Sequence, residues 1–437
     1  MSPEPLARSN TRSLSARIYY GNWLIIAGFV TQFVSVGAQN YAIGSFMIPM
    51  TTELGWSRAE FIAPRSVGQF VMAFTGFFVG AQVDRFGGRP FMLFGLSVLT
   101  AALFALSFVT AWWQWVMLNG VLVTVGAALV GSLVVNVTLA KWFVEKRGQA
   151  IAWAAMGVSF AGIGVTPGIT SYIDAFGWRS GWQALAGSAL LLTLPAALMM
   201  RRAPEDHGLY PDGKSRAQLA AGDGARAQAD LDASMTREQA LRTRTFYLLV
   251  FAFAMYQVVI PVVLFQTVPF MTDAGYSRSV AALMIIIASV PAVVTKPLWG
   301  WLIDRTNPKP LAAASAICAG VAMLMIVFSV RSRSAGWEYF AFFLMGVGWG
   351  GMIPMQEVLW ATYFGRRHLG AVRSAGLPLA LIVGAGGPLA VAYYHDVVGN
   401  YDGAFLFVAG MAILGGVLLL ALPRYDRQLR GLVRRQS

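Results

Sequence analysis

Long uninterrupted apolar runs dominate the hydrophobic pattern of this 437-residue chain. A helix needs about 20 apolar residues to cross the hydrocarbon core of a bilayer, and about a dozen runs of that length occur between polar segments. The blocks are residues 23–48, 61–83, 91–110, 115–140, 150–173, 182–200, 246–271, 280–303, 311–330, 339–361, 375–394 and 404–422. None alternates with the period of two typical of a membrane β-strand. The pattern therefore predicts an all-α membrane protein with twelve transmembrane helices.

A long polar stretch divides the blocks into six and six. We predict an N-terminal six-helix bundle over residues 1–200, a cytoplasmic central loop over 201–243 and a C-terminal six-helix bundle over 244–437. Within the loop, Thr236 followed three residues later by Gln239 is typical of a capping box that opens a short helix. An amphipathic helix of this kind would lie on the cytoplasmic membrane face. A disordered linker is the alternative.

Short motifs recur in the same order in the two halves. Residues 54–58 (Leu-Gly-Trp-Ser-Arg) return as 274–278 (Ala-Gly-Tyr-Ser-Arg), and residues 80–85 return as 300–305, both at an offset of 220. Two further matches follow at offsets of 221 and 222. Parallel six-helix repeats are an architecture of transporters whose substrate site lies between the halves. The repeat predicts two pseudo-symmetric bundles around a central substrate pathway.

The charge distribution agrees with a membrane location. Hydrophobic residues make up 57% of the chain and charged residues only 12%, against about 25% in soluble domains. With the N-terminus placed inside, the predicted cytoplasmic segments hold 26 of the 33 Lys and Arg residues and the outer loops hold 5, while Arg65 and Lys296 lie within blocks. Cytoplasmic loops of membrane proteins carry such an excess. We therefore expect an inner (plasma) membrane protein with both termini cytoplasmic, and the net charge of +13 requires no nucleic-acid partner.

Residues that would support enzyme chemistry are sparse. One cysteine, Cys318, lies in the ninth block, and the three histidines are scattered near block ends. No phosphate-cradling glycine–lysine loop, His-Glu-x-x-His or Gly-x-Ser-x-Gly motif occurs. We expect no enzyme activity, no metal and no cofactor.

Several loop motifs resemble those of a known family. Residues 80–89, Gly-x-x-x-Asp-Arg-x-Gly-x-Arg, resemble the signature loop of the major facilitator superfamily between helices 2 and 3, and residues 300–305 resemble its weaker copy between helices 8 and 9. The segments similar to the monocarboxylate and oxalate/formate-antiporter branch are residues 54–58, 141–148, 204–208 and 363–370. The resemblance spans the whole chain and implies transport by alternating access.

The resemblance also implies a gate. Its candidate residues are Asp84, Arg85, Arg89, Asp304, Arg305 and Arg373. Asp84 is expected to cap helix 11 near Arg373, and Asp304 to cap helix 5 near Gly148, because the amides and the dipole at a helix N-terminus favour a carboxylate. Ordinary juxtamembrane charges are the alternative.

Lys296 is an ionisable residue deep within a predicted helix, where it costs roughly 2.5–3.5 kcal/mol on insertion scales. It lies seven residues before the end of the eighth block, about 10 Å from that end at 1.5 Å per residue. It stands where monocarboxylate transporters carry an anion-anchoring arginine before proline, so the resemblance implies that Lys296 anchors the substrate. A lysine that reaches the inner headgroups is the alternative. Ala292 replaces the aspartate of the proton-linked carriers, and the further basic residues of the branch are missing, which favours a monoanion.

Two other charges lie near block ends. Arg65 could attract anions at the outer mouth, with pairing to Glu60 or a position at the headgroups as alternatives. Glu357 is a candidate for coupling by titration, with pairing to Arg366 or Arg367 as the alternative.

Polar and aromatic residues on the helices that line the pathway of the resembled family complete the candidate site. The substrate-binding candidates are Lys296, Gln39, Asn40, Tyr41, Tyr256, Gln257, Trp349 and Arg65. Aromatic walls with few polar groups suit an organic acid with an apolar body. The sequence thus predicts a monomeric secondary transporter that carries a small organic anion, a monocarboxylate above all, across the lipid bilayer by proton symport or anion exchange. An exporter of a drug or metabolite is the alternative.

Overall fold

A computed structural model describes residues 19–215, 218, 225–333, 336–384 and 387–423. Every regular element in these residues is helical, and no strand occurs among them. The helices up to residue 200 are α1 (Tyr20–Val36), α2 (Ile43–Leu54), α3 (Arg58–Phe86), α4 (Gly88–Leu106), α5 (Trp112–Trp115), α6 (Thr124–Val130), α7 (Ser132–Trp142), α8 (Arg147–Phe176) and α9 (Trp178–Met199). The predicted all-α fold is confirmed.

Of the remaining α-helices, the first two lie within the central loop and the others follow it. They are α10 (Ala225–Asp232), α11 (Arg237–Leu241), α12 (Arg244–Gln257), α13 (Val259–Asp273), α14 (Arg278–Arg305), α15 (Pro308–Ser332), α16 (Trp337–Phe364), α17 (Leu369–Ala375), α18 (Leu377–Gly384), α19 (Gly387–Val398) and α20 (Asp402–Leu420). Two π-helical segments, Gly37–Tyr41 and Val116–Val123, lie between α1 and α2 and between α5 and α6. Thr236 and Gln239 form the predicted capping box at the start of α11; α10 was not predicted.

Ten helices in the described part of the chain are long and apolar enough to cross a membrane. They coincide with the first nine predicted blocks and the twelfth. The tenth block lies in α16, whose 28 residues include Glu338 and Glu357 and several glycines, and which is not among the ten. The eleventh falls on the shorter helices α18 and α19. The count of twelve spans therefore stays a prediction at these two blocks.

The outer surface of the molecule is suited to lipid. On α3, Phe70, Phe74 and Phe78 repeat every four residues along one face and are 55–67% exposed. An apolar stripe of this kind is unfavourable in water, whereas hydrocarbon accepts it, and the helix satisfies its own backbone hydrogen bonds.

The helices form two pseudo-symmetric bundles, an N-terminal one (α1–α9) and a C-terminal one (α12–α20). Equivalent helices begin in the same way. Ser57 caps α3 by accepting a hydrogen bond from the Glu60 amide at 3.2 Å, and Ser277 caps α14 by accepting one from the Val280 amide at 3.3 Å. Between the bundles, α3 packs against α17 and α18, and α14 and α16 pack against α8. The internal sequence repeat thus has a structural counterpart.

Candidate functional site

A cavity of about 490 Å³ lies between the two bundles. The N-terminal bundle lines it with α3, both π-helical segments and the start of α6, and the C-terminal bundle with the junction of α12 and α13 together with α16 and α18. On α3 the lining ends at Ala73. Gly80 and Asp84, where the bundles touch, begin seven residues further on, which is about 10 Å along the helix. We call this closed side, which carries Asp84 and Asp304, the signature-loop end.

Irregular backbone brings polar side chains into the cavity. Gln39 and Asn40 belong to one π-helical segment and Asn119 to the other, and π-helical turns often occur at functional sites. On the opposite wall, Pro261 has no amide hydrogen, so the carbonyl of Gln257 lacks its usual partner four residues later. Accordingly, α12 ends at Gln257 and α13 begins two residues later.

Arg65 carries the charge of the cavity wall. Its Nη2 donates to Oδ1 of Asn40 at 3.0 Å. Glu60, the partner considered from the sequence, instead accepts hydrogen bonds from the amide and the hydroxyl of Ser57, each at 2.8 Å. Among the described residues that line the cavity there is no carboxylate. The wall is therefore electropositive and suited to an anion.

Four of the eight predicted substrate-binding residues line the cavity, namely Arg65, Gln39, Asn40 and Gln257. Nε2 of Gln39 lies 3.4 Å from Oγ1 of Thr124. Gln257 donates to Oε1 of Gln356 at 2.8 Å. These contacts fix the amides within their own bundles, and their role in binding stays a prediction.

The three aromatic residues predicted to bind substrate do not line this cavity. The Tyr256 hydroxyl is buried inside the C-terminal bundle, where it donates to the Gly348 carbonyl at 2.6 Å. Tyr41 and Trp349 are half-buried and do not line the cavity. The position of a residue in the sequence gives its depth along the helix axis. Neighbouring residues point about 100° apart at 3.6 residues per turn, so this depth does not show whether a side chain faces the cavity.

Lys296 also lies outside the cavity lining, contrary to the expectation. The residue is 2% exposed. Its ammonium group crosses to the N-terminal bundle, where it donates to the Ser159 hydroxyl and lies 3.5 Å from the Ala155 carbonyl oxygen on α8. In this conformation Lys296 is part of the contact between the bundles.

The first contact at the signature-loop end centres on Asp84. Oδ2 of Asp84 accepts a hydrogen bond from the Ala371 amide in the first turn of α17 at 2.8 Å. Oδ1 lies 2.7 Å from Nζ of Lys141, a buried residue of the same bundle. Asp84 thus meets the helix of the other bundle that the resemblance indicated.

The second contact centres on Asp304. Its two carboxylate oxygens accept hydrogen bonds from the amides of Gly148 at 2.6 Å and Gln149 at 2.9 Å. Both amides belong to the first turn of α8, where unpaired amides and the helix dipole favour an anion. This geometry also follows the expectation.

Facing glycines allow both contacts to form. A Cβ on Gly80 would lie 2.2 Å from the carbonyl oxygen of Gly370, and a Cβ on Gly300 would lie 2.6 Å from that of Gly148. Any side chain here would push the bundles apart.

The arginines predicted for the gate take other positions. Arg85, Arg89 and Arg305 are exposed; the guanidinium of Arg85 lies over the Phe86 ring and that of Arg305 over the Trp301 ring. These three residues do not join the contacts of Asp84 and Asp304.

Arg373 and Glu357 pair with each other. Nη2 of Arg373 lies 2.9 Å from Oε1 of Glu357, within the C-terminal bundle. This corrects the alternative in which Glu357 pairs with Arg366 or Arg367. Because Glu357 is 5% exposed and does not line the cavity, its predicted coupling role has no support from position.

Several site residues were missed from the sequence. Gln69 lies one turn after Arg65 on the cavity face of α3, and this i, i+4 spacing was a usable signal. In the central loop, Asp230 of α10 lies 3.0 Å from Arg147 and 3.8 Å from Arg366, so a single carboxylate contacts both bundles. No local sequence pattern indicates this bridge.

Comparisons with known proteins agree with the fold. The sequence model of the Major Facilitator Superfamily matches residues 28–376 and 267–436. Monocarboxylate transporter 3 of Rattus norvegicus is 26% identical over 417 residues, which cover 92% of this chain and 78% of that protein. The MFS-type transporter pynF of Aspergillus niger is 24% identical and covers 92% of this chain and 88% of that protein.

Solved structures share the architecture. The proton:xylose symporter XylE bound to 6-bromo-6-deoxy-D-glucose superposes with a TM-score of 0.71 at 14% identity, covering 92% of this chain and 96% of that one. The E. coli fucose:proton symporter FucP gives a TM-score of 0.66, also at 14% identity, and covers 93% and 100%. With the family match over most of the residues, the chain belongs to the Major Facilitator Superfamily and is a membrane transporter, not an enzyme.

Proposed function

We propose that this transporter carries a small organic anion with a single negative charge, a monocarboxylate above all, by alternating access. The observation that carries the proposal is the cavity between the bundles, whose described lining includes Arg65 and no carboxylate. A wall of this charge attracts an anion and repels a cation. The relatives named monocarboxylate transporters support the same substrate class.

The positive-inside charge bias supports an orientation in which the signature-loop end and both termini face the cytoplasm of an inner-membrane protein. The conformation described is then closed on the cytoplasmic side, with the cavity on the outer side. In the opposite conformation, α8 and α14 separate and Lys296 is uncovered. We propose that Arg65 receives the anion from outside and that Lys296 meets it only after this separation. Residues 1–200 and 244–437 would be the two moving units.

The test is uptake by the full-length protein in proteoliposomes. Radiolabelled lactate and benzoate should show saturable uptake, whereas oxalate, glucose and choline should not. Arg65→Ala should lower uptake of both acids at least tenfold, because truncating one partner of a charge pair costs about 2–5 kcal/mol. Arg244→Ala is the matched control, since this arginine is exposed at the start of α12 and does not line the cavity. Uptake of choline, or uptake of the acids that is unchanged in Arg65→Ala, would refute the proposal.

The same vesicles separate the two coupling modes. Proton symport predicts that an inward proton gradient drives accumulation in empty vesicles. Anion exchange predicts that accumulation requires an acid loaded inside.

A further inference from the structure

The two walls of the cavity have different chemistry. The N-terminal bundle supplies most of the polar side chains, which are Gln39, Asn40, Arg65, Gln69, Asn119 and Thr124, and with them the apolar Ile43, Pro64, Met72 and Ala73. The C-terminal bundle supplies mainly apolar ones, which are Ile260, Pro261, Met352, Leu377 and Leu381, together with the amide of Gln257. A ligand in this space therefore meets a mixed wall that carries the charge on one side and a mainly apolar wall on the other.

The polar wall is built to hold a carboxylate. An arginine guanidinium presents its donors in a planar fork that matches the two oxygens of a carboxylate. Asn40 uses its Oδ1 for Arg65 at 3.0 Å, which leaves its Nδ2 as the group that donates to a ligand beside the guanidinium. The charged end of an organic acid is thereby directed to the N-terminal bundle.

The apolar wall is built to hold a hydrocarbon body. Ile260 and Pro261 lie just beyond the break between α12 and α13, and Leu377 and Leu381 lie one turn apart on α18. The volume of about 490 Å³ lies in the range of roughly 300–1,000 Å³ that accommodates drug-sized ligands. A two- or three-carbon acid would fill only part of this space.

Resting on the proposed function, we infer that the preferred substrate is an amphipathic monocarboxylate, an aryl or branched-alkyl acid. Its carboxylate binds the wall at Arg65, and its apolar body contacts the wall that includes Ile260 and Leu381. A ligand shifts a conformational equilibrium only by its differential affinity for the two states. Because the two ends of such an acid contact different bundles, it binds more tightly to the conformation in which the bundles close around it and favours that conformation. A short acid contacts only one wall and therefore shifts the equilibrium toward the closed conformation less.

Uptake kinetics in proteoliposomes test the inference with three probes, which are lactate, 3-phenylpropanoate and its neutral amide, 3-phenylpropanamide. We expect kcat/KM for 3-phenylpropanoate to exceed that for lactate at least tenfold, and the amide to show no uptake. Ile260→Ala should reduce this preference by about tenfold, the range observed when a hydrophobic pocket loses contacts of this size. Ile287→Ala is the matched control, because Ile287 is a half-buried isoleucine of α14 outside the cavity lining.

The outcomes separate the two proposals. If lactate is transported as well as or better than 3-phenylpropanoate and Arg65→Ala lowers both, the monoanion proposal stands and the amphipathic preference is refuted. If Ile260→Ala and Ile287→Ala change the preference equally, the apolar-wall assignment is refuted. If neither acid is transported, or the amide is transported as well as the acid, the proposed function itself fails.

Discussion

Asp84 and Asp304 occupy equivalent places in the two bundles, yet their carboxylates are held differently. Asp84 accepts one amide hydrogen bond from the other bundle and pairs with Lys141 of its own. Asp304 accepts two amide hydrogen bonds, both from the other bundle. In the proposed separation of the bundles, Asp84 would keep its ammonium partner, whereas Asp304 would lose both amides. We therefore propose that Asp84 supports its own bundle as well as the contact between the bundles, while Asp304 acts mainly on the equilibrium between conformations.

The largest expected effect comes from Asp84→Asn. The change leaves the buried ammonium group of Lys141 without its carboxylate, and breaking a buried ion pair in this way costs about 3–5 kcal/mol. Thermal unfolding of the purified protein should show a lower Tm than that of Asp304→Asn. Adding Lys141→Met should recover part of the loss, because contacting residues are not additive. Equal Tm values for Asp84→Asn and Asp304→Asn would refute the larger stabilising role assigned to the Asp84 contact.

Asp304→Asn should act on conformation more than on stability. The amide side chain still accepts one hydrogen bond but loses a charge-assisted one, worth about 1.5–3 kcal/mol. Spin labels at Arg89→Cys and Arg305→Cys, in a Cys318→Ser background, report the separation of the bundles at the signature-loop end. Double electron–electron resonance should show a larger open fraction with Tm nearly unchanged. A closed fraction equal to that of the parent would contradict the role assigned to Asp304.

The smallest expected difference is that between the effects of Gly80→Ala and Gly300→Ala on opening at the signature-loop end. Gly80→Ala and Gly300→Ala each place a methyl group against a backbone carbonyl oxygen, and overpacking of this kind costs about 1–3 kcal/mol. The same spin labels should report opening in both variants, with the larger effect for Gly80→Ala, whose Cβ would lie 2.2 Å from the carbonyl oxygen rather than 2.6 Å. The reverse order would show that the Asp304 side is the more tightly packed contact.

The architecture was predictable because hydropathy and loop charge are local properties of the sequence. The capping box of Thr236 and Gln239 and the carboxylates at positions 84 and 304 lie in short motifs that carry their own signal. The spans at the tenth and eleventh blocks stay predictions, because α16 includes two acidic residues and several glycines and because α18 and α19 are each shorter than a membrane span.

The candidate site was only partly predictable, as Lys296 and Arg65 show. Both are basic residues within predicted spans, and depth together with the family resemblance favoured Lys296. Which face of a helix meets the cavity depends on packing between distant helices, and this packing directs Lys296 to Ser159 and Arg65 to the cavity wall. The π-helical segments that present Asn40 and Asn119 had no signal that we recognised in the sequence.

The proposed function depends on binding of a monoanion between the bundles at Arg65. Isothermal titration of the full-length protein with 3-phenylpropanoate measures this binding without requiring transport. We expect Arg65→Ala to raise the Kd about 100-fold, equivalent to about 2.7 kcal/mol, and Arg244→Ala to bind with the affinity of the parent protein. Equal affinity in Arg65→Ala and the parent protein would contradict the proposed function.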